Sequence, residues 1–173
     1  QKRHLIVSIA AGITTTYIEK RLGKGVRVVR TMPNLPLQTA AGMTAIARGK
    51  NATSKDLEIT KAIFSSVGVA IEVKEREIKA ITAVSGSGPA YVFNFIGCFM
   101  VAAEKVGLKT EDAILLVMQT VLGSLDLLMK TKEDPRALCK KVASKGGTTE
   151  SALKVFGDKN FQGMFIDALK AAK

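Results

Sequence analysis

Two glycine-rich segments of this 173-residue chain have the residue types and spacing of a site for a small anionic ligand. In the first, Ser-Gly-Ser-Gly-Pro-Ala-Tyr at residues 85–91, two glycines allow close backbone approach and the proline suits a first helical turn. The second, Ser-Lys-Gly-Gly-Thr-Thr at residues 144–149, places backbone N–H groups and two hydroxyls just before a predicted helix. A helix start can bind a carboxylate or phosphate through its unpaired N–H groups and its dipole. Each segment alone is also compatible with a purely structural turn.

The elements that must position these segments are of two kinds. Over residues 1–74, short apolar runs alternate with helical patterns, which predicts strand–helix–strand units and a mostly parallel sheet. The predicted strands lie near residues 5–9, 26–30, 43–47 and 69–73. From residue 75 onward only helical patterns occur, and the segment 89–106 is apolar on nearly every face, which predicts burial in a core or against another subunit. We therefore expect an α/β part, residues 1–74, followed by an all-α part, residues 75–173.

Small residues follow the first predicted strand, and Met-Pro-Asn follows the second. In a doubly wound sheet the carboxyl ends of the strands face the cofactor, so small residues there would admit a nucleotide. The chain contains neither a Gly-x-Gly-x-x-Gly pattern nor a P-loop, so nothing in it is expected to hold a pyrophosphate. The α/β part is therefore predicted to be the end of a larger dinucleotide-binding domain.

The net charge of +11 raises the question of a nucleic-acid partner. Only 5% of the residues are aromatic and none is Trp, so platforms for stacking bases are scarce. A small anionic ligand, or an acidic segment outside this sequence, explains the charge as well. We expect no nucleic-acid partner.

Cysteine, histidine and hydropathy patterns exclude other classes. Cys98 and Cys139 lie far apart and His4 is the only histidine, so neither a zinc site nor histidine catalysis is expected. Free thiols are typical of a reducing cytoplasm, which is the predicted compartment. No window of about 18 uncharged apolar residues was found, and the amino terminus lacks a cleavage pattern, so neither a membrane helix nor a signal peptide is expected.

The order of the motifs resembles that of the pyrroline-5-carboxylate reductase family. Residues 5–12, 30–36, 85–91 and 144–149 follow one another as in that family, over essentially the whole chain. The resemblance implies the carboxyl-terminal part of a Rossmann-like domain followed by a helical dimerisation domain. It also implies a homodimer or higher homo-oligomer, NADP or NAD as cofactor, and reduction of 1-pyrroline-5-carboxylate to L-proline. The Gly-rich dinucleotide loop of the family is not in this sequence, so the choice between NADPH and NADH stays open.

The resemblance also implies which residues form the site. The substrate carboxylate would be held by Ser144, Gly146, Gly147, Thr148 and Thr149. The floor of the pocket would be shaped by Ser85, Ser87 and Gly88. The nicotinamide half of the cofactor would touch Ser8, Ala10, Ala11, Met32 and Asn34. No catalytic acid and no metal ligand is identified, so the enzyme would act mainly by positioning its substrates, with the proton supplied by solvent or substrate.

Three positions depart from the family's usual residues. Leu35 stands where the family usually has Thr, Lys145 where it has Pro, and Gly97 where bacterial members tend to carry an acidic residue. None of the three removes an identified ligand-binding group. The alternative function is a non-catalytic fragment that only dimerises and binds substrate.

Overall fold

The computed structural model describes residues 4–173 and divides the chain after Ala90 into two compact units, the carboxyl-terminal residues 172–173 belonging to the first unit. The strands are β1 (Leu5–Ser8), β2 (Arg27–Pro33), β3 (Gly42–Arg48) and β4 (Gly68–Glu72). The helices are α1 (Thr15–Leu22), α2 (Ser54–Ser65), α3 (Ile78–Ile81), α4 (Gly88–Lys105), α5 (Thr110–Thr131), α6 (Pro135–Val142), α7 (Thr148–Asp158) and α8 (Phe161–Ala172). An α/β part followed by helices alone is confirmed, whereas the domain boundary after residue 74 remains a prediction.

The four strands form one sheet in the order β1-β2-β3-β4. The pairs β1–β2 and β3–β4 are parallel and the pair β2–β3 is antiparallel, so the sheet is mostly parallel, as expected, with one antiparallel pair that the sequence pattern did not indicate. The physical reason is the length of the connection. Only a short 3₁₀ helix, Leu35–Thr39, joins β2 to β3, and a parallel crossover needs a dozen residues or more.

Both faces of the sheet are covered within the first unit. On one face Val29, Ile46 and Ala70 pack against Leu57 and Phe64 of α2. On the other, Ala45 and Ala47 pack against the fully buried Ile78 of α3. This two-sided burial explains why the strands read as apolar runs rather than as alternating patterns.

One glycine is required where β3 and β4 begin. Gly68 has a positive φ of 147°, and a Cβ there would lie 2.0 Å from the carbonyl oxygen of Gly42. A side chain at residue 68 would therefore push the two parallel strands apart.

The second unit has almost no core of its own. Among residues 91–171, all of which the structure describes, only Ala103, Ala113 and Val117 are buried. Large apolar side chains of α4 and α5 remain exposed instead, including Phe93 at 56% and Leu122 at 62%. A helical unit of this size cannot be stable with three small buried residues, so these faces require a partner.

The exclusion of membrane-spanning helices on composition was too strong. Two helical stretches, Glu75–Lys105 and Thr110–Thr131, are long and apolar enough to cross a membrane by length and composition alone. Single polar residues within them, such as Asn94 and Asp126, do not lower their mean hydropathy enough to fail that test. Helices that a protein partner covers meet the same criterion, so the observation by itself does not indicate a membrane.

The buried carboxylate of Asp56 provides a prediction about stability. It accepts hydrogen bonds from the Thr53 backbone N–H at 2.8 Å and from the Thr53 hydroxyl, and it pairs with Arg27 at 2.7 Å. The Thr53 backbone hydrogen bond is the main cause of a lowered Asp56 pKa, and burial opposes it. A lowered pKa means that the ionised carboxylate stabilises the fold above its unfolded pKa, and that this contribution disappears as the pH falls through the folded pKa.

We expect Asp56→Asn to lower the free energy of unfolding by about 1.5–3 kcal/mol near neutral pH, because hydrogen bonds to a charged group are lost. The difference from the unchanged chain should shrink below about pH 4, where the carboxyl of the unfolded chain is protonated. Urea unfolding over a pH series measures both effects. Glu58→Gln, at an exposed carboxylate of the same helix, is the matched control, and an equal loss there would contradict the assignment to Asp56.

Candidate functional site

One candidate site, within the first unit, lies at the carboxyl ends of β1 and β2. These strands are parallel, with Ser8 opposite Arg30, so the residues that follow them meet at one edge of the sheet. The Thr31 hydroxyl donates to the Ser8 carbonyl at 3.2 Å, and the Ser8 hydroxyl accepts the Ala10 N–H at 3.3 Å. Ala10 and Ala11 are exposed, and no atom would lie within 4 Å of a Cβ placed on Gly12. The small side chains thus leave open space at this edge.

Asn34 connects this edge to the Ser-Gly-Ser-Gly segment. Its side-chain oxygen accepts the Met43 N–H at 2.8 Å, and its side-chain nitrogen donates to the Ser85 carbonyl at 3.2 Å. The amide group is therefore engaged by the protein on both sides. Asn34 holds the loop after β2 against Ser85, a role that the sequence pattern did not suggest.

The Ser-Gly-Ser-Gly segment begins in a π turn. Residues Thr82–Gly86 form this turn, and the Ser87 N–H donates to the Thr82 carbonyl at 2.8 Å. A Cβ on Gly86 would lie 2.8 Å from the terminal methyl of Met32, so the glycine admits that side chain. Single π turns are frequent at functional sites, because they redirect a helix by one residue. Here the turn sets Ser85 beside Asn34 and leads into α4 at Gly88.

The structure thus brings Ser8, Met32, Asn34 and Ser85 to one edge of the first unit, with Ser87 half-buried next to them. The amino terminus of α1, which also lies at this edge, is occupied by the chain itself. The carboxylate of Glu75 accepts the Thr15 N–H at 2.8 Å and the Thr15 hydroxyl. Such a helix start cannot serve a cofactor phosphate in this arrangement. This edge therefore offers open space beside the strand ends, while the start of α1 is not free to bind a phosphate group.

A separate candidate site, within the second unit, is the turn of residues 144–149, which we call the Gly-Gly turn. Gly146 has a positive φ of 73°, and the Gly147 N–H donates to the Ser144 carbonyl at 3.0 Å. Gly147 caps α7 without a side-chain hydrogen bond. The N–H groups of the first helical residues, Thr148 and Thr149 among them, have no acceptor within the helix. The turn therefore presents adjacent amides and hydroxyls to solvent, as an anion site requires.

Glu150 is a neighbour of this turn that sequence reasoning missed. Its carboxylate accepts the Gly146 N–H at 2.6 Å, as a residue of the first helical turn does when it reaches back to the cap. The signal was present in the sequence, since an acidic residue follows the two threonines directly. The contact fixes the turn but also sets a negative charge beside the amides that would bind an anion.

Other groups add little chemistry. The nearby Lys141 is paired with Glu133 at 2.5 Å, and His4 is exposed. Residues 4–173 contain no cluster of three or more potential metal ligands, and Cys98 and Cys139 are free and exposed. Of the departures from the family pattern, Leu35 and Lys145 are exposed, and Gly97 has open space where a Cβ would lie.

Comparison with known proteins gives one consistent result. The family profile described as "Pyrroline-5-carboxylate reductase dimerisation" matches residues 75–173. Pyrroline-5-carboxylate reductase of Synechocystis is 41% identical over 170 residues, which cover 98% of this chain and 63% of the relative. Pyrroline-5-carboxylate reductase 2 of Bacillus subtilis is 36% identical over 98% of this chain and 61% of the relative. The chain thus spans about three fifths of the length of these curated relatives.

Solved structures agree with these relatives. A pyrroline-5-carboxylate reductase from Coxiella burnetii matches with a TM-score of 0.90 and 43% identity over 97% of this chain and 63% of that chain. The Plasmodium falciparum pyrroline carboxylate reductase with NADP bound matches with a TM-score of 0.93 and 33% identity over 98% of this chain and 68% of that chain. The motifs, the four-stranded sheet with its helical continuation and the profile match lead to one conclusion: this chain belongs to the pyrroline-5-carboxylate reductase family.

Proposed function

We propose that this chain provides the substrate-binding and dimerisation part of an enzyme that reduces 1-pyrroline-5-carboxylate to L-proline with NADPH or NADH. The proposal rests on the two glycine-rich motifs, residues 85–91 and 144–149, each of which has a defined local structure. Ser85 lies on a π turn that Asn34 holds, Ser87 directly follows that turn, and Gly147 of the Gly-Gly turn caps α7 without a side-chain hydrogen bond. The names of the relatives, and the NADP bound in the Plasmodium structure, support the same reaction.

Each part of the chain has a role in this reaction. The amides and hydroxyls of Thr148 and Thr149 bind the substrate carboxylate, which both pyrroline-5-carboxylate and proline carry. Ser85, Ser87 and Gly88 shape the floor of the pocket. Ser8, Ala10, Ala11, Met32 and Asn34 form the edge against which the nicotinamide lies. When bound, NAD(P)H supplies the hydride that reduces the C=N carbon of the substrate.

No residue of this chain is assigned as a proton donor. The more buried carboxylates near the sheet, Asp56 and Glu75, are both engaged in ion pairs. The C=N carbon of the substrate is more electrophilic when the ring nitrogen is protonated, as an iminium, so the substrate can carry its own proton. Rate enhancement then comes from orientation of two bound molecules, which is a large effect in itself.

We further propose that the exposed apolar faces of α4 and α5 are covered by a second copy of the chain. The matching profile describes a dimerisation domain, and the second unit lacks a core of its own. Free thiols at Cys98 and Cys139 agree with the cytoplasm, the compartment predicted from the sequence. The alternative is a non-catalytic fragment that dimerises and binds substrate without turning it over.

An activity assay separates these two functions. One sample is the chain as it stands, and the other is an assembled reductase, in which the chain follows the amino-terminal part of the Synechocystis relative. We expect pyrroline-5-carboxylate-dependent oxidation of NADPH or NADH only in the assembled reductase. The chain alone should bind the cofactor very weakly, because it has no Gly-rich phosphate loop.

Cofactor titration followed by fluorescence is the accompanying measurement. Micromolar affinity of the chain alone would show that the cofactor site has been placed wrongly. A folded assembled reductase that binds cofactor but does not oxidise it in the presence of substrate would favour the non-catalytic alternative.

A further inference from the structure

The carboxylate of Glu75 joins three segments of the first unit. One oxygen accepts the Thr15 N–H at 2.8 Å and lies 3.3 Å from a terminal guanidinium nitrogen of Arg30. The other oxygen accepts the Thr15 hydroxyl. Thr15 and Arg30 are 3% and 8% exposed, while the Glu75 side chain is 25% exposed, so the cluster is buried on the side of its two partners and reaches water at the carboxylate.

The three segments are those that carry the candidate site. Thr15 is the first residue of α1 and follows the loop that contains Ala10 and Ala11. Arg30 lies on β2, opposite Ser8 and just before Met32. Glu75 begins the connection that leads through α3 to the π turn. The Glu75 carboxylate therefore connects the start of α1 and strand β2 to the segment that ends at Ser85.

This connecting segment is held again at its far end. Asn34 donates to the Ser85 carbonyl, and between the two attachments Ile78 is fully buried against Ala45 and Ala47. Residues 75–85 are thus fixed at their start, middle and end. A change at Glu75 can be expected to move the π turn, because the start of the segment would lose its only charged attachment to the sheet edge.

The Arg30–Glu75 pair is poorly suited to a role in stability alone. The guanidinium Nε of Arg30 is buried and has no hydrogen-bond partner among the described residues. Removing two charges from water is costly, and an incompletely bonded buried ion pair is often no more stable than apolar side chains of similar volume. Its main effect is therefore expected to be on the relative placement of the segments it connects rather than on stability.

We propose that Arg30 and Glu75 are positioning residues, which set the Ser85–Ser87 floor of the pocket relative to the strand edge where the nicotinamide lies. The proposal rests on the function proposed above. It concerns the relative placement of two reacting molecules, to which rates are very sensitive, since a displacement of about 1 Å can cost about 100-fold. The substrate carboxylate is assigned to the Gly-Gly turn, so ground-state binding of substrate should depend little on the pair.

The test uses the double variant Arg30→Met/Glu75→Met, which removes both charges and keeps most of the side-chain volume. In the assembled reductase we expect the melting temperature to fall no further than in the control variant below, because the ion pair adds little stability while the Thr15 N–H and hydroxyl lose their acceptor. The kcat should fall about 10- to 100-fold. The KM for pyrroline-5-carboxylate should change by less than about threefold, which is a small change in binding free energy. The single variant Arg30→Lys, which keeps the charge, should have a higher kcat than the double variant.

Asp56→Asn is the matched control, because it breaks another ion pair of the same unit, with Arg27 at the start of β2, that involves none of Thr15, Arg30 and Glu75. It should lower the melting temperature and leave kcat unchanged. A double variant that remains folded in the assembled reductase and keeps its kcat would overturn the positioning role.

A second readout does not depend on activity. In ¹H–¹⁵N spectra of the chain itself, the double variant should shift the backbone amides of Ser85, Gly86 and Ser87 and the side-chain amide of Asn34. Unchanged signals would overturn the proposal even if the chain proved not to belong to an active reductase. Shifted signals would support the link between the ion pair and the π turn. If the assembled reductase without substitutions were inactive at the same time, only the proposed function would be contradicted.

Discussion

Thr149→Ala is expected to weaken the binding of a proline analogue by about 10- to 150-fold in the assembled reductase, as loss of a hydrogen bond to a charged group costs about 1.5–3 kcal/mol. The residue is half-buried in the first turn of α7, where its hydroxyl and backbone N–H lie beside unpaired amides. The measurement is the inhibition constant of the analogue together with the KM for pyrroline-5-carboxylate. The KM should rise with the inhibition constant, because both molecules present the same carboxylate.

Thr148→Pro removes one N–H and one hydroxyl from the same turn and should weaken analogue binding at least as much. The substitution suits the backbone, because Thr148 is the first residue of α7 and proline is favoured there. Gly147 before it has φ −84° and ψ 173°, the extended conformation that a following proline requires. The helical unit should therefore stay folded, which circular dichroism can verify.

Ser151→Ala is the matched control for both changes. Its hydroxyl lies on the same helix and donates to the Gly147 carbonyl at 3.3 Å rather than to solvent or a ligand. We expect little change in inhibition. If Thr149→Ala left both KM and inhibition as they were, the substrate carboxylate would be bound elsewhere, and the Gly-Gly turn would be only a capped turn.

Leu122→Asp is expected to convert the folded dimer into a largely unfolded or aggregating chain. Leu122 is 62% exposed on α5, a helix that also leaves Leu115, Leu116 and Leu125 exposed. An unpaired charge buried in an interface costs about 3–5 kcal/mol, which is a loss of more than about 100-fold in self-association. Light scattering across a concentration series, combined with circular dichroism, measures both assembly and folding.

Lys109→Asp is the control for this prediction. It introduces the same side chain at the amino-terminal cap of the same helix, where aspartate is favoured. The variant should remain a folded dimer. The proposal of an obligate dimer would be wrong if the unmodified chain were a stable, folded monomer at micromolar concentration.

Much of the fold was predictable because its signals are local. Burial on both faces makes the central strands β2 and β3 short apolar runs, and the helices from Pro135 and Thr148 begin at capping sequences that can be read directly. The predicted strands lie within two residues of β1, β3 and β4, and β2 extends three residues further along. The antiparallel pairing of β2 and β3 was missed, although the short connection through Leu35–Thr39 carried the information.

The motifs of the candidate site were likewise visible in the sequence, since glycine-rich turns before helices depend on residues close together in the chain. What holds those motifs in place was not. Asn34 meets Ser85 across 51 positions, and Glu75 meets Thr15 across 60. No periodicity or turn signal marks such pairs, because they depend on how the sheet edge and the connecting segment pack.

The sequence by itself determined the family, the order of elements and the position of each glycine-rich turn, all of which follow from short-range patterns. Only the tertiary structure decided which groups are already in use. It showed that the amino terminus of α1 is taken by Glu75 and that one amide of the Gly-Gly turn is taken by Glu150. It also showed that the apolar helices of the second unit lack a core within one chain. Burial and the choice of hydrogen-bond partner are properties of the packed chain, because they depend on which distant segments displace water from a group.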